Sequence, residues 1–326
     1  MTETHLEQPQ LPAVPDYPTR SPWSDEIDET RRVFLQELGT HDGWQDAGEK
    51  QGVRLSKKHR VYDTNPVPLI RGEALIENVK PYDFLAGVVQ PPNMRKLWDA
   101  RTESGMMMKR YSRNEVLFYA LTKGKKFIAS PRDMSGIQKD YIDSDGSCMI
   151  IQHSVDTDDV PEQPGAKRAD LSLSGWHFKP EGAHTRVSYI FQVDLRGSIP
   201  SSIVGLVATE TPLCIARARD LFFERGFSPF VRHDTSRDPA IIFQTELIDP
   251  EPHSREYSCT ITTGDKTGES FVIAYDLHTM YKPEGGVKIS LQGESDAVQA
   301  QDDGKGLITV TTRASGKTVT IILRPR

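Results

Sequence analysis

The sequence contains no apolar run close to the roughly 18 residues that a membrane-spanning helix needs. Its first residues, MTETHLEQPQLP, are acidic and proline-containing, whereas a signal peptide has a basic start and an apolar stretch. The three cysteines, Cys148, Cys214 and Cys259, are an odd and widely scattered set, which is not a disulfide framework. These absences predict a cytoplasmic protein.

The chain also has no excess of basic charge. Its 40 Lys and Arg residues stand against 46 Asp and Glu residues, and the net charge is -6. A nucleic-acid partner is therefore not expected. An acidic protein is attracted to an anionic membrane only through local features, so any membrane contact is expected to be peripheral and transient.

The common enzyme signatures are missing. HExxH, GxSxG, paired CxxC and GxGxxG do not occur, and the nine histidines have no metal-ligand spacing. Gly316-Lys317-Thr318 lacks the earlier glycine of a phosphate loop, since Thr311 stands at that position, and lies between two predicted strands. We interpret it as a hairpin turn and expect neither a metal nor a cofactor.

Periodicity divides the rest of the chain into helical and extended parts. Residues 1–22 contain five prolines and predict a flexible tail. A helix capped by Ser24 and stopping at Gly39 is predicted next. An extended stretch over 51–75 follows, then a helix over 81–100 broken at Pro91-Pro92. Strands are predicted over 106–195, and an amphipathic helix over 200–225 that Pro212 should kink or split.

The last part of the chain changes character. Residues 233–326 consist of short alternating segments with Gly-rich turns, which predict a β-sandwich of about seven strands. With the boundary near 232, residues 23–232 form a first domain of class α+β, and the sandwich is a candidate for docking a protein partner.

Short motifs along the first domain carry a resemblance. In chain order they are Gly52-Val53, Arg71-Gly72, RKLWD at 95–99, Pro131-Arg132-Asp133, Ser154-Val155-Asp156 with Pro161, Lys167-Arg168-Ala169, Ser174-Gly175-Trp176, and VDLRG at 193–197 with Ile199-Pro200. The ordered set, over about residues 40–226, resembles the START (StAR-related lipid transfer) family; the C-terminal sandwich lies outside it. The resemblance implies a helix-grip fold, in which a curved antiparallel sheet grips a long C-terminal helix.

The resemblance also implies a function. A member of this family would hold one lipid in an internal tunnel and transfer it between membranes, because keeping a lipid chain in water costs about 0.8 kcal/mol per methylene. The C-terminal helix would act as a lid, here through Ile203, Val207 and Leu213. Two alternatives remain: a lipid-regulated interaction module without transfer, and an enzyme on the same scaffold using Tyr119, Gln152, His153 or Asp99.

Three branches of the family imply different ligand contacts. The phosphatidylcholine branch implies Arg95 and Asp99 as phosphate ligands, although the two could equally be an ordinary helical ion pair. The positions of its choline cage are non-aromatic here, unless Tyr119 or Trp176 substitutes; they are Ala120, Met134 and Ser172.

The ligand contacts of the other two branches are also only partly present in this sequence. The sterol branch implies Tyr119 and Gln138, and the ceramide branch implies Asp99 and Gln152, with Ala120 in place of a glutamine. No branch's full set is present, and phospholipid is favoured over sterol and ceramide. Trp98 and Trp176 are candidates for ligand contact or for core packing.

Two charged features outside the ligand positions are interpreted structurally. Arg132 and Asp133 predict an ion pair that fixes their loop. Lys123, Lys125 and Lys126 form a local basic tip, which is either a solvated turn or a contact with anionic lipid.

Overall fold

A computed structural model describes residues 20–60, 64–124, 130–197, 199–232 and 240–326. The predicted tail up to residue 19, and Lys125 and Lys126 of the basic tip, lie outside the described residues. The predicted start of the sandwich at 233 does so as well. None of the described helices is long and apolar enough to span a bilayer.

Contacts group the chain into two compact units. The first unit consists of the described residues up to Tyr82 together with Trp98–Arg219. The second unit consists of Asp83–Leu97 and Asp220–Arg326. The short segment Asp83–Leu97 therefore belongs with the C-terminal part of the chain, although it is inserted in the sequence of the first unit.

The first helix, α1, spans Ser24–Leu38 and is followed by Gly39, where the prediction ended it. Ser24 is the first helical residue rather than the cap, because the N-cap position is Trp23, which makes no side-chain cap bond. The Ser24 hydroxyl instead donates to the buried carboxylate of Glu115 at 2.8 Å.

A large sheet forms the body of the first unit. In the described part of the chain its strands are β1 Gln45–Lys50, β2 Val53–Lys58, β3 Leu69–Ile76, β4 Thr102–Ser112, β5 Glu115–Thr122, β6 Arg132–Ile142, β7 Cys148–Ser154, β8 Lys167–Arg168, β9 Asp170–Glu181 and β10 His184–Asp194. The order across the sheet is β1-β2-β3-β10-β9-β7-β6-β5-β4, with antiparallel neighbours, and β8 pairs in parallel with β6.

The face of the sheet that carries α1 is called the outer face. A Cβ atom on Gly175 of β9 would overlap the ring of Phe34, so only glycine allows the helix to approach this closely. Phe34 and Ile27 of α1 belong to a fully buried cluster with Ile151 and Ile190 of the strands below. The helix is therefore held by apolar burial against the middle of the sheet.

The helix predicted over 81–100 is broken as expected. It consists of α2 (Pro81–Phe84), a π-helical turn (Leu85–Val89) and α3 (Pro92–Trp98). Pro92 occupies the first position of α3, where its missing N–H is not needed.

The helix predicted over 200–225 is split rather than kinked. The two pieces are α4 (Ser201–Glu210) and α5 (Cys214–Arg225), and Pro212 lies in the break between them. Proline in a helix interior removes a backbone donor and clashes with the preceding turn, which explains why α4 ends before it.

The C-terminal part is a β-sandwich, as predicted, and its described residues form two four-stranded sheets, eight strands in place of about seven. Its strands are β11 Phe230–Val231, β12 Ile242–Asp249, β13 Glu256–Thr262, β14 Ser270–Ala274, β15 Val287–Gly293, β16 Val298–Asp302, β17 Leu307–Thr312 and β18 Thr318–Pro325. The sheet orders are β11-β14-β17-β16 and β12-β13-β18-β15. Phe243 and Phe271 join the two sheets, with ring centroids 5.0 Å apart.

Candidate functional site

The face of the sheet opposite α1 is called the inner face, and the segment from α4 to the start of α5 lies on it. A Cβ atom on Gly72 of β3 would come within 2.8 Å of Pro212 and 3.2 Å of Ile215. Tyr189 on β10 is the cross-strand partner of Gly72, and Trp176 on β9 is the partner of Tyr189. Because side chains alternate along a strand, this register identifies the other residues of the inner face.

Three uncharged polar side chains form a row across the middle of the inner face. Gln138 on β6 stands opposite Gln152 on β7, which stands opposite Ser174 on β9. The Gln152 amide donates to Gln138 Oε1 at 2.9 Å, and the Ser174 hydroxyl donates to Gln152 Oε1 at 3.0 Å. We call Gln138, Gln152 and Ser174 the polar row. The structure thus brings Gln138 and Gln152 together, although they were predicted from two different branches.

Aromatic side chains border the polar row on one side. Trp176 stacks on Tyr189 with centroids 4.1 Å apart, and Trp98 meets Trp176 edge-on at 6.0 Å. Both predicted tryptophans are almost fully buried in this cluster. Their position gives the inner face a wide apolar wall next to its polar groups.

Apolar side chains border the polar row on the other side. Ala120 on β5 and Met134 on β6 are cross-strand partners. They pack on a cluster that also receives Val204 and Val207 of α4; its buried members are Val67, Phe118, Ala169, Leu171 and Val193. The predicted positions Ala120 and Met134 on the sheet and Val207 on α4 therefore pack on the same apolar cluster.

The remaining predicted cage position, Ser172, and the lid positions Ile203 and Leu213 do not belong to this cluster. Ser172 is exposed and lies next to a register shift, with its hydroxyl donating to the Gln192 carbonyl at 3.2 Å. Ile203 is half-buried on α4, and Leu213 is fully buried in the break between the two helices rather than within one.

The carboxylate of Asp99 is held by Arg101. Arg101 donates from Nε to Asp99 Oδ1 at 2.9 Å and from Nη2 to Oδ2 at 3.3 Å. Burial alone would lower the pKa of Arg101, but its interactions with Asp99, Cys214 and Tyr189 together outweigh burial, and the pKa lies above its usual value. Arg95, the predicted phosphate ligand, belongs to the second unit, whereas Asp99 belongs to the first. Sequence reasoning missed Arg101, and the Asp-x-Arg spacing was the available signal.

Tyr119 lies on the outer face and not with the polar row. It is the cross-strand partner of Ser135 and a member of the cluster that packs on α1. Burial, together with the nearby Asp133 carboxylate, raises the pKa of Tyr119 to about 12. The buried Tyr119 hydroxyl has no hydrogen-bond partner among the described residues.

The predicted Arg132–Asp133 ion pair is wrong. Adjacent residues on a strand point to opposite faces, so the two side chains diverge. Asp133 is fully buried and accepts bonds from Arg168 Nη2 at 3.0 Å and Nε at 3.2 Å. Arg132 donates to the backbone carbonyl of Leu195 at 2.8 Å.

His153 points away from Gln152, as strand alternation predicts, and its Nδ1 lies 3.2 Å from the Ser172 carbonyl oxygen. The enzyme alternative requires the side chains of Tyr119 and His153 to lie close to that of Gln152. The structure places both of these side chains away from it. Within the described ranges, no three or more His, Cys, Asp or Glu side chains are grouped to hold a metal ion.

Replacing Tyr119 by phenylalanine should change how stability depends on pH. The folded-state pKa of about 12 exceeds the ordinary value of 10.0, so the neutral phenol stabilises the fold below pH 10. That contribution is lost as the pH rises through 10 to 12, because ionisation is then easier in the unfolded chain. Urea unfolding of both proteins should show the parent losing about 2 kcal/mol relative to Tyr119→Phe between pH 9 and 12. Parallel stability curves for the two proteins would contradict the buried phenol.

Comparisons with known proteins agree with this geometry. The START domain family model matches residues 25–218. The fold of human StAR-related lipid transfer protein 5 is similar, with a TM-score of 0.55 and 21% identity over 62% of this chain and 98% of that chain. Human STARD10 is similar with a TM-score of 0.51 and 19% identity, over 65% of this chain and 86% of that chain. No curated protein matches the sequence.

Proposed function

Because the chain belongs to the START domain family, we propose that its first unit binds one lipid molecule between the inner face of the sheet and α4, and transfers it between membranes. The polar row is the observation that carries the proposal. Gln138 and Ser174 are 9% and 2% exposed, and an apolar wall lies on each side of their row. A lipid needs this combination of apolar surface for its chains and a few polar partners for its head.

The polar row favours a ligand with an uncharged polar head. Glutamine and serine offer donors and acceptors but no charge, which suits a hydroxyl or an amide. The Asp99 carboxylate is already bonded by Arg101, so a phosphate would have to rely on Arg95. We therefore rank a sterol or ceramide first, and keep the phospholipid favoured by the sequence as the alternative.

We propose carriage without a reaction. General acid–base catalysis needs a titratable group within hydrogen-bond reach of the reacting atom. None of the three side chains of the polar row titrates in the ordinary range. Of the titratable candidates of the enzyme alternative, His153 bonds the Ser172 carbonyl, Tyr119 packs in the cluster with α1, and Asp99 is bonded by Arg101.

Native mass spectrometry of the purified protein tests the proposal. We expect one stoichiometric adduct, which lipid extraction identifies as a sterol or ceramide. A protein that is free of lipid, and remains so after incubation with vesicles of phosphatidylcholine, cholesterol and ceramide, would overturn lipid carriage. An adduct identified as a phospholipid would keep carriage and reverse the ranking of the head groups.

A further inference from the structure

The residues in the break between α4 and α5 are buried much more deeply than those of α4 itself. Thr211, Leu213 and Cys214 are each at most 1% exposed. In contrast, α4 has no fully buried residue, and its Leu206 is 41% exposed. The helix therefore rests on the sheet through half-buried contacts, while the segment at its C-terminal end is fixed.

One guanidinium group fixes this segment to the sheet. Arg101 precedes β4 and donates from Nη1 to Thr211 Oγ1 at 2.6 Å and from Nη2 to Cys214 Sγ at 3.4 Å. The same planar group holds both oxygens of Asp99, whose backbone carbonyl accepts the Thr102 N–H at 2.9 Å. Arg101 thus ties the turn before β4 to both ends of the break.

A second arginine fixes the end of α4 to α5. Arg217 donates from Nη1 to the backbone carbonyl of Glu210 at 3.2 Å and also bonds the Glu210 carboxylate. Glu210 is the last residue of α4, so the C-terminal end of the helix is anchored twice. Any outward motion of α4 would then pivot at residues 211–214, with the end near Ser201 moving furthest.

We infer that Arg101 is a positioning residue that latches this pivot, and that breaking its bond to Thr211 allows α4 to swing away from the inner face. The inference rests on the proposed function for its purpose, which is to admit and release the lipid. The Arg101 side chain is 30% exposed, so water can replace the Thr211 hydroxyl when the latch opens. Because a water molecule takes over the hydrogen bond of Arg101, opening of the latch is reversible and costs little free energy.

The thiol of Cys214 provides the readout, because it lies inside the pivot and is inaccessible when the latch is closed. Thr211→Val removes the hydroxyl that Arg101 bonds and preserves the side-chain shape. Losing one charge-assisted hydrogen bond should raise the open population, and with it the rate at which iodoacetamide labels Cys214, about tenfold. Cys148 is fully buried in β7 of the first unit, so its labelling rate reports unfolding of that unit, and the fully buried Cys259 on β13 reports unfolding of the second unit. Peptide mass spectrometry resolves the three cysteines in one experiment.

Two further variants sharpen the test. Thr209→Val makes the same change two residues earlier, where the hydroxyl bonds the backbone carbonyls of Gly205 and Leu206 within α4, and should leave Cys214 labelling unchanged. Arg101→Lys keeps a positive charge beside Asp99 but cannot reach all three partners, and should accelerate labelling as Thr211→Val does. A Cys214 rate within twofold of the parent in both latch variants overturns the latch, as does a parallel rise at Cys214 and Cys148, the two cysteines of the first unit.

The labelling result is independent of whether a lipid is found. Faster Cys214 labelling without any bound lipid would support the latch while the proposed function fails. A lipid adduct combined with unchanged labelling would support carriage and reject the latch.

Discussion

Replacing Arg168 by methionine should destabilise the first unit by about 3–5 kcal/mol, because it leaves a fully buried carboxylate without its cation. Asp133 is 0% exposed, and its bonds to Arg168 join β6 to the short strand β8. Methionine fills a similar volume, so most of the loss should come from the charge and not from a cavity. All four tryptophans lie in the first unit, so urea unfolding followed by tryptophan fluorescence measures this loss directly.

The matched control is Arg186→Met. Arg186 pairs with Glu181 on the same sheet, but both side chains are close to half exposed, and such a pair contributes at most about 1 kcal/mol. Equal losses in the two variants would mean that the burial of Asp133 does not set the energy of its ion pair.

The helices of this protein could be predicted well because single residues determine their ends. Gly39 follows α1, Pro92 begins α3, and Pro212 lies between α4 and α5, each for a reason that acts within a few residues. The grouping of Asp83–Leu97 with the C-terminal part of the chain was not predictable in this way, since it depends on contacts between residues far apart in sequence.

The candidate site was predicted in part, and strand register explains the difference. Gln138 and Gln152 were singled out for separate reasons, and only the pairing of β6 with β7 makes them neighbours. Tyr119 and Ala120 are adjacent on β5, so only one of them can face inwards, and a shift of one residue exchanges them. The structure places Ala120 with the apolar cluster beneath α4 and Tyr119 in the cluster with α1.

The ion pairs were the least predictable feature. Asp133 lies next to Arg132 in sequence but bonds Arg168, 35 positions away, because the parallel pairing of β6 and β8 places Arg168 opposite it. Sequence proximity favoured the wrong arginine, since neighbours on a strand cannot share a face. Cross-strand partners of this kind become visible only once the register is known.

Gln152→Leu should weaken binding of a sterol or ceramide about 10- to 100-fold. Gln152 is the middle member of the polar row, so its loss leaves both Gln138 and Ser174 buried and without their shared partner. An unsatisfied buried polar group costs about 1–3 kcal/mol. In addition, Gln152 no longer holds the side chains of Gln138 and Ser174 in position to bond a ligand. Binding is measured with cholesterol, ceramide and phosphatidylcholine, each presented in vesicles.

Two control variants separate this expectation from its alternatives. Gln292→Leu makes the same substitution at an exposed position of β15, in the second unit, and should change none of the three affinities by more than about twofold. Arg95→Gln tests the phospholipid alternative, because it removes the predicted phosphate ligand while the polar row stays intact.

The pattern of losses across the three lipids then identifies the head group. Under the proposal, Gln152→Leu affects cholesterol and ceramide most, and Arg95→Gln affects none of the lipids strongly. A selective loss of phosphatidylcholine in Arg95→Gln, with cholesterol and ceramide unaffected by Gln152→Leu, would instead assign the ligand to the phospholipids. The uncharged polar row would then be a structural network that joins β6, β7 and β9 beneath the lipid.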